Sequence, residues 1–225
     1  MSSSNKVRAF FQQRAAEFDR LYAQDTRLSI INRWLRRPFY RRFDLTMAEC
    51  GDVRGKRILD VGCGSGRYLI TLARRGAEGV GIDFASNMIA LAQNLAAERG
   101  VADRCLFVNA DFLEFEFEKK FDISLAIGLF DYIRDSTPIL SKMRSLTREK
   151  VIATFPPPGG WRAFQRLIRY RLYGCPLYFH SQESMTNNFK STGFENWWFE
   201  GSWVVAFPPD KRRSQSLPIN EVVYE

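Results

Sequence analysis

Three glycines at alternate positions, Gly62, Gly64 and Gly66, interrupt the run "LDVGCGSGRYLI" at residues 59–70. Without a Cβ, such a loop can lay its N–H groups directly against a ligand at the start of a helix. A phosphate-binding loop would end in Gly-Lys-Ser/Thr, whereas Gly66 precedes Arg67 and Tyr68. A dinucleotide loop would space its glycines G-x-G-x-x-G, but position 67 is arginine. Carboxylates narrow the choice further. Asp60, Asp83 and Asp111 each end or follow one of three successive apolar runs, and an open α/β sheet binds its ligands at strand ends. An acidic rim repels a diphosphate. It suits a cationic nucleoside, with ammonium and sulfonium near Asp60 and the glycines, ribose hydroxyls on Asp83, and adenine beside Asp111 and Phe112. Each residue also has an ordinary use: Gly64 or Gly66 for close helix–sheet packing, Asp83 as a helix N-cap, Asp111 in a turn, Cys63 as a small loop filler.

The elements that must position these residues alternate along the chain. Strands are expected at 57–61, in "AEGVGID", "RCLFVNAD", "FDISLAIGLF" and "KVIATFP". Helices are expected in "RYLITLARRG" up to Gly76, in "ASNMIALAQNLAAERG" with Ser86 or Asn87 as cap and Gly100 as stop, and at 135–148 with Pro138 in the first turn. Near-continuous apolar strands between helices imply a parallel sheet covered on both faces. Helices at 161–173 and 181–191 follow, and "ENWWFEGSWVVAF" reads as an antiparallel hairpin. Ahead of this body, residues 5–23 and 27–48 have helical spacing, the second interrupted or bent by Pro38. The fold class is α/β: a Rossmann-like, doubly wound, mostly parallel seven-stranded sheet with a terminal antiparallel hairpin. Its divisions are an N-terminal helical lid (1–50), the main domain (51–210, with a cap insertion at about 156–180) and a tail (211–225).

Four stretches, "LDVGCGSGRYLI", "GVGIDFASNMIALAQ", "FVNADFLEF" and "FDISLAIGLFDYI", resemble in order and spacing the first four motifs of class I S-adenosylmethionine-dependent methyltransferases. The resemblance spans roughly residues 56–207. It implies S-adenosyl-L-methionine as cofactor, with Asp60, Gly62, Gly64 and Gly66 at its methionine end, Asp83 at the ribose and Asp111 at the adenine. It also puts the backbone of Ile127 and Gly128 beside the cofactor amino group, with Phe84 and Asn109 as further adenine contacts. The layout is loosely similar to magnesium-protoporphyrin O-methyltransferases, which esterify a propionate. That similarity favours a small acidic or aromatic acceptor, methylated on oxygen or nitrogen. A nucleic-acid acceptor is disfavoured because "AIGLFDYI" stands where amino methyltransferases of nucleic acids carry Asn/Asp-Pro-Pro-aromatic.

An acceptor that must lose a proton needs a base. Tyr132, His180 and Asp131 are the candidates, with Tyr132 also suited to lining the pocket and His180 to a cap. Aromatic residues of the N-terminus (Phe10, Phe11, Phe18, Tyr22) and of the cap (Trp161, Phe164, Tyr170, Tyr173, Tyr178) can enclose an apolar acceptor. Arg162, Arg166 and Arg169 share a helical face that meets either an acidic group or water. Residues 1–57 carry 13 basic and 6 acidic residues, most of the chain's net charge of +8. "NRWLRRPFYRRF" is accordingly read as an amphipathic lid or as a peripheral contact with a membrane or acidic partner. Two rivals remain: an RNA- or protein-directed methyltransferase docking through this segment, and a non-catalytic cofactor-binding subunit. No long apolar run or secretory leader is evident, the four cysteines are scattered, and one histidine excludes a His-rich metal site. A cytoplasmic location and no metal are expected.

Overall fold

A computed structural model describes residues 6–12 and 30–209 of the 225-residue chain, without the side chains of 30–39 and 162. Residues 6–12 are helical (α1). The other elements, in chain order, are α2 (Ile30–Cys50), β1 (Arg57–Val61), α3 (Arg67–Ala73), β2 (Glu78–Asp83), α4 (Ser86–Glu98), β3 (Cys105–Asn109), β4 (Phe121–Ala126), α5 (Thr137–Leu146), β5 (Thr147–Thr154), α6 (Gly160–Leu172), α7 (Gln182–Ser191), β6 (Asn196–Glu200) and β7 (Trp203–Phe207). The expected positions of Phe18, Tyr22 and the tail lie outside the described residues, as do the side chains of Trp34, Leu35, Phe39 and Arg162.

The seven strands form one sheet in the order β3-β2-β1-β4-β5-β7-β6. The first five pair in parallel, and β7 pairs antiparallel with both β5 and β6. Alternating strand residues feed two cores. Ile58, Ile123, Leu125, Ile152 and Val205 pack with Leu69, Leu72, Ile89 and Met47 on one face. Leu59, Val61, Val151, Ala153 and Val204 pack with Leu140, Met143 and Phe189 on the other. Central strands covered on both sides explain their unbroken apolar runs.

Two local expectations are corrected. The second N-terminal helix is continuous through Pro38. Neither Ser86 nor Asn87 caps α4; Ala85 occupies the cap without a side-chain bond, and the Asp83 carboxylate accepts the Ala85 N–H instead. The end of α2 belongs to the body: Met47 and Cys50 are core residues, Thr46 Oγ1 accepts from Trp203 Nε1 at 3.1 Å, and Lys150 pairs with Glu49 at 2.7 Å.

Candidate functional site

The strand order reverses between β1 and β4, which opens a crevice beyond their carboxyl ends. The glycine loop leaves β1 there. Its Gly62 and Cys63 N–H groups both donate to the Ile82 carbonyl, at 2.8 and 3.2 Å. The Gly64 N–H donates to Asp83 Oδ2 at 3.0 Å, while Oδ1 takes the Ala85 N–H at 2.9 Å. One carboxylate thus ties the loop to the start of α4. Burial raises the Asp83 pKa against the pull of these two hydrogen bonds. Each oxygen retains a lone pair for a further donor.

The three loop glycines all have positive φ, at 68°, 53° and 71°, but they face different surroundings. A Cβ on Gly66 would come within 2.6 Å of the Phe107 ring, and one on Gly62 within 2.9 Å of Leu129 Cδ1. A Cβ on Gly64 would meet nothing within 4 Å. Gly66 and Gly62 therefore serve packing, and Gly64 offers bare backbone to open space.

Asp60 is only 2% exposed, and its Oδ2 has no hydrogen-bond partner among the described residues. Burial pushes its pKa up to about 7, the Asp83 charge adds to the rise, and a backbone hydrogen bond from Leu69 opposes it. A buried carboxylate oxygen left unsatisfied is costly unless a cation or donor joins it. Asp111, exposed beyond β3, accepts the Leu113 N–H on Oδ1 at 2.8 Å and so forms a turn. Phe112 departs from the expected adenine contact. Its ring is buried among Phe117 and the Lys142 ammonium, on the core side of the loop. Phe84 lies under α1, with the Arg8 guanidinium 5.6 Å from its ring, and Asn109 Nδ2 donates to the Asp83 carbonyl at 3.0 Å.

β4 ends at Ala126, short of the strand expected through Phe130, so Ile127 and Gly128 lie just beyond it. The Gly128 N–H donates to Thr154 Oγ1 at 2.7 Å, and its φ is 81°. A Cβ there would lie 3.8 Å from Nη1 of Arg42. Sequence reading did not single out Arg42. Its place in an arginine-rich stretch concealed it, and only its nearness to Gly128 in the folded chain marks it.

The acceptor-side candidates are brought together, each engaged by neighbours. Tyr132 Oη donates to Tyr170 Oη at 3.1 Å, and burial with neighbouring Tyr170 and Asp131 pushes its pKa well above the usual phenol range. The Asp131 carboxylate is held by Arg166 of α6. His180 is buried, with Nε2 at 3.0 and 3.1 Å from the carbonyl oxygens of Phe130 and Ile133. Two acceptors on one nitrogen mean that it carries the proton. The backbone N–H of His180 donates to the Pro156 carbonyl at 3.0 Å. Over this region lies α1: Phe10 contacts Tyr170 and Tyr173 with ring centroids 5.3 and 6.0 Å apart, and Phe11 meets Tyr132 edge-on at 5.0 Å.

Against known proteins, a model of the methyltransferase domain family matches residues 52–168, just over half of the chain. This chain belongs to the class I S-adenosylmethionine-dependent methyltransferases. Relatives of this methyltransferase include the ubiquinone biosynthesis O-methyltransferases of Bordetella avium, 29% identical over 128 residues, and Chromobacterium violaceum, 31% identical over 117 residues. The alignments cover 57% and 52% of this chain and 49% and 47% of those proteins. The chain thus spans about half the length of the curated relatives it matches. Its fold is similar to that of magnesium protoporphyrin IX methyltransferase from Synechocystis, solved with bound S-adenosylhomocysteine. That match has a TM-score of 0.74 at 19% identity and covers 92% of this chain and 100% of the other.

The glycine geometry separates stability from binding. Gly66→Ala is expected to lose about 2–3 kcal/mol through the Phe107 clash and φ strain, read as a lowered melting temperature. Gly64→Ala should cost only about 1 kcal/mol yet weaken S-adenosylhomocysteine binding by roughly tenfold or more, read by calorimetry.

Proposed function

We propose that this methyltransferase methylates an oxygen or nitrogen of a small molecule, with an oxygen of low basicity favoured. The residues on the crevice rim fit S-adenosylmethionine. Asp60, with its unpartnered buried oxygen, would sit at the cationic methionine end. The open face of Gly64 would lie against the cofactor chain, and the spare lone pairs of Asp83 would take ribose hydroxyls. Asp111 would lie at the adenine, with Phe112 contributing its backbone. Ile127 and Gly128 would line the amino group, where Arg42 could offset the carboxylate. When bound, the cofactor supplies a methyl group already activated as a sulfonium, and the protein's task is alignment.

One observation carries the choice of acceptor: in the aromatic cluster beside the rim, neither Asp131 nor Tyr132 is free to act as a base. Tyr132 is held neutral, Asp131 is ion-paired, and His180 spends Nε2 on two carbonyls, which leaves Nδ1 as its one basic nitrogen. A carboxylate or acidic phenol needs no proton removed by the protein. The phenolic Tyr132–Tyr170 pair can orient such an oxygen, while Phe10 and Phe11 exclude water. The names of the curated O-methyltransferase relatives support an oxygen acceptor. In this reading residues 1–50 act as a lid and 156–180 as a cap.

Incubating the protein with methyl-labelled cofactor and a cell extract tests the reading. Label is expected in the small-molecule fraction, as a base-labile methyl ester or a base-stable aryl methyl ether. Label in RNA or protein, or none at all, would overturn it. For His180→Ala, loss of its carbonyl contacts is expected to cost about 2 kcal/mol, with turnover of the folded variant falling less than about tenfold. A loss of roughly a hundredfold or more would restore His180 as general base.

A further inference from the structure

The helix α6 presents an apolar stripe that nothing among the described residues covers. Of the large apolar side chains exposed among the described residues, most belong to this helix or its end: Trp161, Phe164, Leu167, Ile168, Leu172 and Tyr173. Trp161 is 69% exposed, Phe164 52%, Ile168 45% and Leu172 80%. Spacings of three, four and four residues put these four on one line along the helix. Tyr170, on the opposite side, is buried and anchors the helix to the body. Arg166, beside it, is tied to Asp131. Arg169 and Arg171 are exposed and flank the stripe on its two sides.

The charge is as one-sided as the apolarity. Residues 159–182 contain no aspartate or glutamate, yet include Arg162, Arg166, Arg169 and Arg171, of which Arg166 is neutralised by Asp131. We propose that α6 is a docking surface for an anionic lipid bilayer, lying in the interfacial plane with Trp161, Phe164, Ile168 and Leu172 in the acyl boundary and Arg169 and Arg171 at the lipid phosphates. An apolar line edged by arginines, with tryptophan at one end and tyrosine at the other, matches the layered polarity of that interface. The stripe runs about 16 Å, and four side chains on one helix bury on the order of 500 Å², short of the roughly 800 Å² per partner of a stable dimer. Two copies meeting through this face would also bring arginines together. Because Tyr170 of the same helix faces Tyr132, the bound orientation would set the acceptor chamber next to the lipid surface.

Full-length protein is mixed with vesicles of phosphatidylcholine alone, or of phosphatidylcholine and phosphatidylglycerol in equal parts, and sedimented. Binding to the mixed vesicles is expected, weakening with salt and at least about tenfold lower on neutral vesicles. The exposed-site variant Trp161→Ser/Phe164→Ser/Ile168→Ser/Leu172→Ser should lose vesicle binding by at least about tenfold while keeping its circular dichroism and S-adenosylhomocysteine affinity. Arg169→Gln/Arg171→Gln should lose the preference for anionic lipid. Unaltered binding by the quadruple variant would overturn the proposal. So would wild-type protein that ignores both vesicles, including the case of a concentration-dependent dimer in sedimentation velocity that the quadruple variant abolishes.

Discussion

Asp83→Ala is expected to weaken S-adenosylhomocysteine binding by at least about a hundredfold. Two losses combine. The ribose hydroxyls lose their charged acceptor, and the Gly64 N–H loses the oxygen that holds the glycine loop in place. Hydrogen bonds to a charged group contribute about 1.5–3 kcal/mol each, and each 1.4 kcal/mol is about tenfold in affinity. The melting temperature should drop by only a few degrees, because the carboxylate is itself partly desolvated, as its raised pKa shows, and its removal relieves that cost. Asp83→Asn keeps one acceptor oxygen and should fall between the two. Calorimetry on the folded alanine variant decides the matter: wild-type affinity would remove Asp83 from the cofactor site.

The second large effect is on pH dependence. Burial holds the Asp60 pKa at about 7, above an ordinary value of 3.8. The folded state therefore favours the neutral acid. The stability contributed by this group is complete below the unfolded pKa and is lost as pH climbs through about 7. Cofactor-free protein should lose a few kcal/mol over that window, and Asp60→Asn should flatten the loss, as read from melting temperatures between pH 4 and pH 8. Binding reverses the preference, since a cation beside the carboxylate lowers its pKa. Affinity for S-adenosylhomocysteine should thus rise about tenfold from pH 6 to pH 8, with a proton released on binding below pH 7. Titration calorimetry in two buffers of different ionisation enthalpy measures that proton. Equal affinity and no release across the range would separate Asp60 from the bound cation.

Which parts of this were readable in the chain follows from how local their causes are. The glycine loop, the acids ending β1 and β2, and the strand–helix alternation depend on spacing within about 20 residues, and they stand where the sequence puts them. The fate of single side chains does not. Phe112 turns into the core because Phe117 and Lys142 receive it. His180 is occupied by carbonyls 50 and 47 residues away, and Asp131 by an arginine 35 residues on. Arg42 comes near Gly128 only in the folded chain. Such pairings depend on the tertiary arrangement, which no local pattern encodes.

The Trp203–Thr46 contact joins positions 157 residues apart, and the Arg41–Glu200 pair makes the same connection. During synthesis, the seat of α2 therefore emerges more than 100 residues after the glycine loop. The loop that would receive the cofactor, complete by residue 85, can form while the helix bearing Arg42 still lacks its C-terminal support. An emerging chain would have its ligand cradle before it has the roof.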